Sequence, residues 1–131
     1  MISEQARLLL LSTFEVQSRS VDAAVFRVDL DPAEPLFAGH YPGQAILPGV
    51  CLVECADRGV RLVAPETFAN ATLEQIESAR FLKVMGSSDR ISVTLRWTDQ
   101  GPHWRLMAEF SVGSVQTGRL RLRYGKSVHV Q

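Results

Sequence analysis

Cysteine is scarce: Cys51 and Cys55 are the only two in 131 residues, four positions apart. Two thiols at that spacing are too few for a zinc site and poorly placed for a disulfide. They read as small apolar residues of a reducing compartment. Excess charge is missing as well, since 14 Lys and Arg offset 14 Asp and Glu. That balance removes the field expected of a nucleic-acid or anionic-membrane binder. Long hydrophobic runs are absent too. Leu8 to Leu11 is the most apolar stretch near the N-terminus, too short for a signal core or a membrane span and followed by no small-residue cleavage pattern. Repeats, linkers and low-complexity segments are lacking. His103 and His129 lie far from His40 in sequence, so no three-histidine metal site is expected. These absences leave a single cytoplasmic domain over residues 1–131, with a core large enough to fold without staples.

What is present is patterned. Residues 3–12 suggest a short amphipathic helix. Ala24, Phe26, Val28 and Leu30 alternate with Val25, Arg27 and Asp29, which supports a half-buried strand. Residues about 48–63 form a helix with little polar surface, its charges Glu54, Asp57, Arg58 and Arg61 gathered in the second half; such a helix belongs in a core. Period two then returns. One long strand over about 70–85 precedes a turn at Gly86-Ser87-Ser88-Asp89. Alternating runs over 91–97, 106–112 and 119–124 are broken at Gln100-Gly101-Pro102 and Gly113-Ser114. Consecutive alternating strands with short turns make an antiparallel meander with one apolar face. The one long apolar helix is the available cover, so the expected class is α+β, a sheet curled around a helix.

The chemistry concentrates in Phe37 to Glu54. His40 sits in a loop punctuated by Gly39 and Pro42-Gly43, residues that set tight turns. Pro48 is well placed as a first helical residue. Gly49 leaves the amides at that helix start open to close approach by a group carrying partial negative charge. Alone, His40 would read as a hydrogen-bonded structural residue and Glu54 as a solubilising charge. A base, amide donors and a second titratable group within one segment favour an active site.

Gly39-His40-Tyr41-Pro42-Gly43, Ile46-Leu47-Pro48-Gly49-Val50 and Glu54, fourteen positions beyond His40, resemble the signature of the β-hydroxyacyl-acyl-carrier-protein dehydratases, the FabA/FabZ family with the hot-dog fold. Ile76 to Phe81 is similar to the family's strand after the helix, and the Val112-Gly113-Ser114-Val115 hairpin is also family-like. Glutamate at position 54 points to the FabZ-like branch, because the bifunctional isomerase branch has aspartate there. The resemblance implies dehydration of 3-hydroxyacyl chains on acyl carrier protein to trans-2-enoyl thioesters, in fatty-acid or polyketide and polyene synthesis. It implies no cofactor beyond the carrier's phosphopantetheine arm. His40 would take the C2 proton, as imidazole titrates near working pH, and Glu54 would protonate the departing hydroxyl. The Gly49 amide would polarise the thioester carbonyl. The Ile46 carbonyl would orient the histidine ring, and Pro48, Val50, Arg58 and Phe81 would flank the substrate. In the family His40 and Glu54 meet across a dimer interface, so a homodimer or a heterodimer with a related hot-dog subunit is expected.

Two positions depart from that pattern. Ala45 replaces a common proline. Arg58 replaces a glutamine four residues beyond the acid; one helical turn from Glu54, it could pair with the carboxylate and weaken it as a proton donor, or point elsewhere. A partner-dependent or non-catalytic hot-dog subunit and an acyl thioesterase are the rival readings. Arg119, Arg121 and Arg123 share one strand face, either the dock of an acidic carrier protein or the solvated side of an edge strand.

Overall fold

Every run of strictly alternating apolar residues becomes a strand of one sheet. The computed structural model describes residues 7–38 and 46–126. In chain order these form β1 (Thr13–Arg19), β2 (Ala23–Asp29), α1 (Pro35–Ala38), α2 (Val50–Val63), α3 (Glu66–Ala69), β3 (Thr72–Phe81), β4 (Arg90–Asp99), β5 (His103–Val112) and β6 (Val115–Gly125). The sheet is antiparallel throughout, in the order β1-β2-β4-β5-β6-β3. The hairpins β4–β5 and β5–β6 turn through Gly101 and Gly113, both at positive φ, a conformation that glycine reaches without a Cβ penalty.

The topology explains the helix. β2 pairs with β4, yet β3 follows β2 in sequence and pairs with β6 at the far edge. The chain must therefore cross the face of the sheet, and α2 makes that crossing over about 21 Å. It packs on β1, β2 and β4. Phe26, Val28, Val93, Leu95, Leu106 and Leu122 point inward and are fully buried, against Leu52, Cys55, Ala56 and Val60 of the helix. This is the α+β hot-dog arrangement expected, a sheet around one long central helix.

Three boundaries differ from the sequence reading. Residues 7–12 are not helical but run as a bent, irregular strap; 3–6 lie outside the described residues. The helix begins at Val50, with Gly49 as its N-cap and no side-chain cap. The long strand over 70–85 stops at Phe81, because Leu82 and Lys83 both donate their amides to the Thr117 carbonyl, at 2.9 and 3.2 Å, and turn the chain away. On β6, Arg119 and Arg121 are exposed, while Arg123 lies 3.7 Å from Glu74.

Candidate active site

Where β3 ends, the chain folds back over the start of α2. Ile46 bridges to Gly86 and the Leu47 amide donates to the Met85 carbonyl at 2.8 Å, which stitches the approach to the helix onto the segment after β3. Between them opens an apolar cleft of about 320 Å³, walled by Ile46, Gly49 and Leu52 on one side and Phe81, Leu82 and Val84 on the other. The Phe81 ring lies directly on Gly49: a β-carbon there would stand 2.7 Å from the ring tip. Glycine is what lets the cleft reach the helix backbone. Cys51 and Leu52 donate to the Pro48 and Gly49 carbonyls, each at 3.0 Å. The amides ahead of them, those of Gly49 and Val50, have no partner within the helix, as at any helix start.

Glu54 stands on a different side of α2. Five residues beyond Gly49, it is turned by about 140° around the axis and does not line the cleft. It is 2% exposed. Its two carboxylate oxygens accept the backbone amides of Leu8 and Leu9, at 2.5 and 2.8 Å. Arg58 lies with Nη1 3.6 Å from Glu54, donates to the Leu9 carbonyl at 2.6 Å and stacks its guanidinium 4.0 Å above the Phe14 ring. Arg58 thus takes the paired orientation, not one toward Asp57, which is held by Arg61 at 3.0 Å and by the Tyr124 hydroxyl at 2.7 Å.

The structure therefore brings Ile46, Gly49 and Phe81 together around one cleft and sets Glu54 with Arg58 beneath the N-terminal strap. Pro48 is half-buried beside Gly49, and Val50 is 59% exposed; neither lines the cleft. His40 lies outside the described residues, as do Gly39 and residues 41–45.

The sequence reading missed Glu34. Buried just before α1, it accepts the amides of Leu10, Leu11 and Ser12 and the Ser12 hydroxyl, at 2.6 to 2.9 Å. Burial pushes its carboxyl up, but those four donors together outweigh it and hold the group below the usual glutamate value. A lone carboxylate before a proline gives no local sign of such a task. The cysteines are free and buried. Burial first, then the nearby charges of Glu54 and Glu34, pushes the Cys51 thiol up to about 12, and Cys55 is raised further. Neither is a thiolate nucleophile at neutral pH. No group of metal-ligating side chains occurs among the described residues, and no described helix is long and apolar enough to cross a membrane.

Known proteins resemble the chain in sequence and in architecture. The chain is 25% identical over 107 residues to the 3-hydroxyacyl-acyl-carrier-protein dehydratase FabZ of Paramagnetospirillum magneticum, covering 76% of this chain and 66% of that one. To the FabZ of Ligilactobacillus salivarius it is 40% identical over 80 residues, 56% of this chain and 57% of the relative. It thus spans less than two thirds of these relatives' length. Among solved structures, the dehydratase heterocomplex ApeI:P from Xenorhabdus doucetiae superposes with a TM-score of 0.77 at 15% identity, over 89% of this chain and 100% of that one. A hypothetical thioesterase with coenzyme A from Streptococcus pneumoniae gives 0.70 at 14% identity, over 91% and 92%. At such identities these structures speak for the hot-dog fold alone. The family model described as ApeI-like, ApeI dehydratase, matches residues 16–119, from within β1 to within β6 and across the central helix; the chain belongs to the ApeI-like dehydratase family.

Proposed function

We infer that the chain is a subunit of a 3-hydroxyacyl-acyl-carrier-protein dehydratase, converting the 3-hydroxyacyl thioester to the trans-2-enoyl thioester and water. The observation that carries this reading is the apolar cleft that meets the backbone of α2 at Gly49, under Phe81. An acyl chain lying there would bring its thioester carbonyl to the Gly49 amide, where enolate charge can be taken up. His40 removes the C2 proton, the C2–H electron pair becomes the C2–C3 double bond, and the C3 hydroxyl leaves with a proton from Glu54 of a paired hot-dog subunit, each site drawing on both subunits. The substrate arrives on the phosphopantetheine arm of a carrier protein in the cytoplasm, and no other cofactor takes part.

A second reading, a subunit that needs an unlike partner, draws on one specific observation: both oxygens of Glu54 already accept backbone amides. The edge strand β3 has only β6 as neighbour and exposes Ile76 and Phe81, which suits pairing with a second hot-dog subunit, like or unlike. The ApeI:P neighbour, itself a heterocomplex, fits that reading.

Incubating the purified chain with a 3-hydroxyacyl carrier protein and weighing the product separates the readings. Loss of water that disappears in His40→Ala supports the dehydratase. Release of free acid would replace it with a thioesterase. Tight binding without turnover, converted to turnover by a second hot-dog subunit, would select the partner-dependent form.

A further inference from the structure

Five consecutive amides, Leu8 to Ser12, belong to no helix or strand, yet each ends on a buried carboxylate. Leu8 and Leu9 donate to Glu54 at 2.5 and 2.8 Å; Leu10, Leu11 and Ser12 donate to Glu34 at 2.7, 2.9 and 2.7 Å. Arg58 ties the outer half by its bond to the Leu9 carbonyl, and the Leu9 side chain is a fully buried peg. The halves are unequal. Glu34 grips with three amides and the Ser12 hydroxyl next to β1, whereas Glu54 holds only the two outermost amides.

We propose that residues 8–12 form a hinged strap that gates Glu54: with Leu8 and Leu9 seated the carboxylate is covered, and their release uncovers it for a substrate held by a paired subunit. This deepens the dehydratase reading and rests on it. A carboxyl group that donates a proton needs an O–H directed at its acceptor. Each Glu54 oxygen keeps a second lone pair, but the carboxylate is 2% exposed beneath the strap, so an O–H formed there reaches no substrate until Leu8 and Leu9 move away. Release is asymmetric because the inner half keeps Glu34. The hinge therefore falls between Leu9 and Leu10, and the opened strap stays tethered beside β1. Arg58, bonded to the Leu9 carbonyl and 3.6 Å from Glu54, is the positioning residue that holds the gate shut.

Hydrogen exchange on the full chain tests this. Leu8 and Leu9 exchange together and faster than Leu10 to Ser12. Glu54→Gln raises exchange at Leu8 and Leu9 by about tenfold, leaving the inner three unchanged. A non-reactive 3-hydroxyacyl-pantetheine amide, competing for Glu54, speeds exchange at Leu8 and Leu9 in the wild type. Arg58→Met opens the same two amides and raises turnover, and Leu9→Ala does likewise if its melting curve shows a folded chain. An analogue that binds without touching exchange at Leu8 and Leu9, or an Arg58→Met protein whose outer amides open with no gain in turnover, overturns the gate and leaves the dehydratase standing. An analogue that does not bind overturns the dehydratase reading, and the gate with it, while the Glu54→Gln exchange pattern still reports the clasp.

Discussion

The Tyr124 hydroxyl, at the end of β6, donates to Asp57 in α2 at 2.7 Å, with both groups buried. Burial, and then the Asp57 charge, pushes the phenol well above its usual value, so it remains a donor at every physiological pH. Arg61 completes the cluster: 3.0 Å from Asp57, it also donates to the Ala69 and Ala71 carbonyls at 2.6 and 2.5 Å. One carboxylate thereby fastens the crossing helix to the sheet beneath it and to the connection that follows.

Truncating that cluster should cost unequal amounts. Tyr124→Phe removes one donor and leaves Asp57 with Arg61, a loss of about 1 kcal/mol. Asp57→Ala strands a half-buried guanidinium and a buried hydroxyl, a loss of about 3 kcal/mol. Urea unfolding midpoints at constant slope measure both, and equal losses would mean that Arg61 does not depend on Asp57.

At Gly59 two physical effects compete. Helix propensity favours Ala over Gly by about 1 kcal/mol. A β-carbon there, however, would collide with the Phe26 ring, which is fully buried between sheet and helix and has nowhere to move. Overpacking should win, and Gly59→Ala should destabilise by about 1–3 kcal/mol. A thermal melt decides the sign.

The sheet and its helix were legible in sequence because each is written in local spacing. β2, β4, β5 and β6 alternate strictly, and α2 is apolar around most of its circumference. β1 went unread because, as an edge strand, nearly all its residues are exposed and no alternation marks them. Residues 3–12 suggest a helix, yet among Leu8 to Leu11 only Leu9 is buried, and the strap's amides are satisfied by carboxylates 22 to 46 positions away. No local pattern carries such a partnership. In the site, the Pro-Gly start of α2 is written in the local sequence, whereas Glu54 stands out as an acid only through the family resemblance. What could not be seen was that Glu54 would already hold Leu8 and Leu9, or that Phe81 would lie on Gly49.

Glu34 makes stability depend on acid pH. Its folded carboxyl titrates below the ordinary glutamate value because four donors address the ionised form. A lowered carboxylate stabilises the fold fully above the unfolded value, and that contribution drains away as pH falls through the folded one. Wild-type stability should therefore decline below about pH 4.3. In Glu34→Gln this part of the decline should be missing, and stability at pH 7 should be lower by about 2–3 kcal/mol. Unfolding curves between neutral and acid pH test it; parallel declines in the two proteins would remove Glu34 from the account.

Gly49→Ala separates the cleft from the fold. The new methyl would sit 2.7 Å from the tip of Phe81, a side chain 57% exposed and able to swing outward. At an N-cap, alanine is less favoured than glycine, but the penalty is small beside that of a core clash. Melting should therefore change little. The cleft should not survive, because the methyl and the displaced ring occupy the space where, on the proposed dehydratase reading, an acyl chain would meet the helix amides. A misplacement of about an ångström at a reacting centre costs on the order of a hundredfold in rate, so kcat/KM for the carrier-linked substrate should fall by about that factor. Phe81→Ala on the Gly49→Ala background reopens the volume without restoring close approach to the backbone, so it should recover binding, read in KM, before it recovers kcat. A Gly49→Ala enzyme with full turnover would mean that the thioester carbonyl is polarised elsewhere.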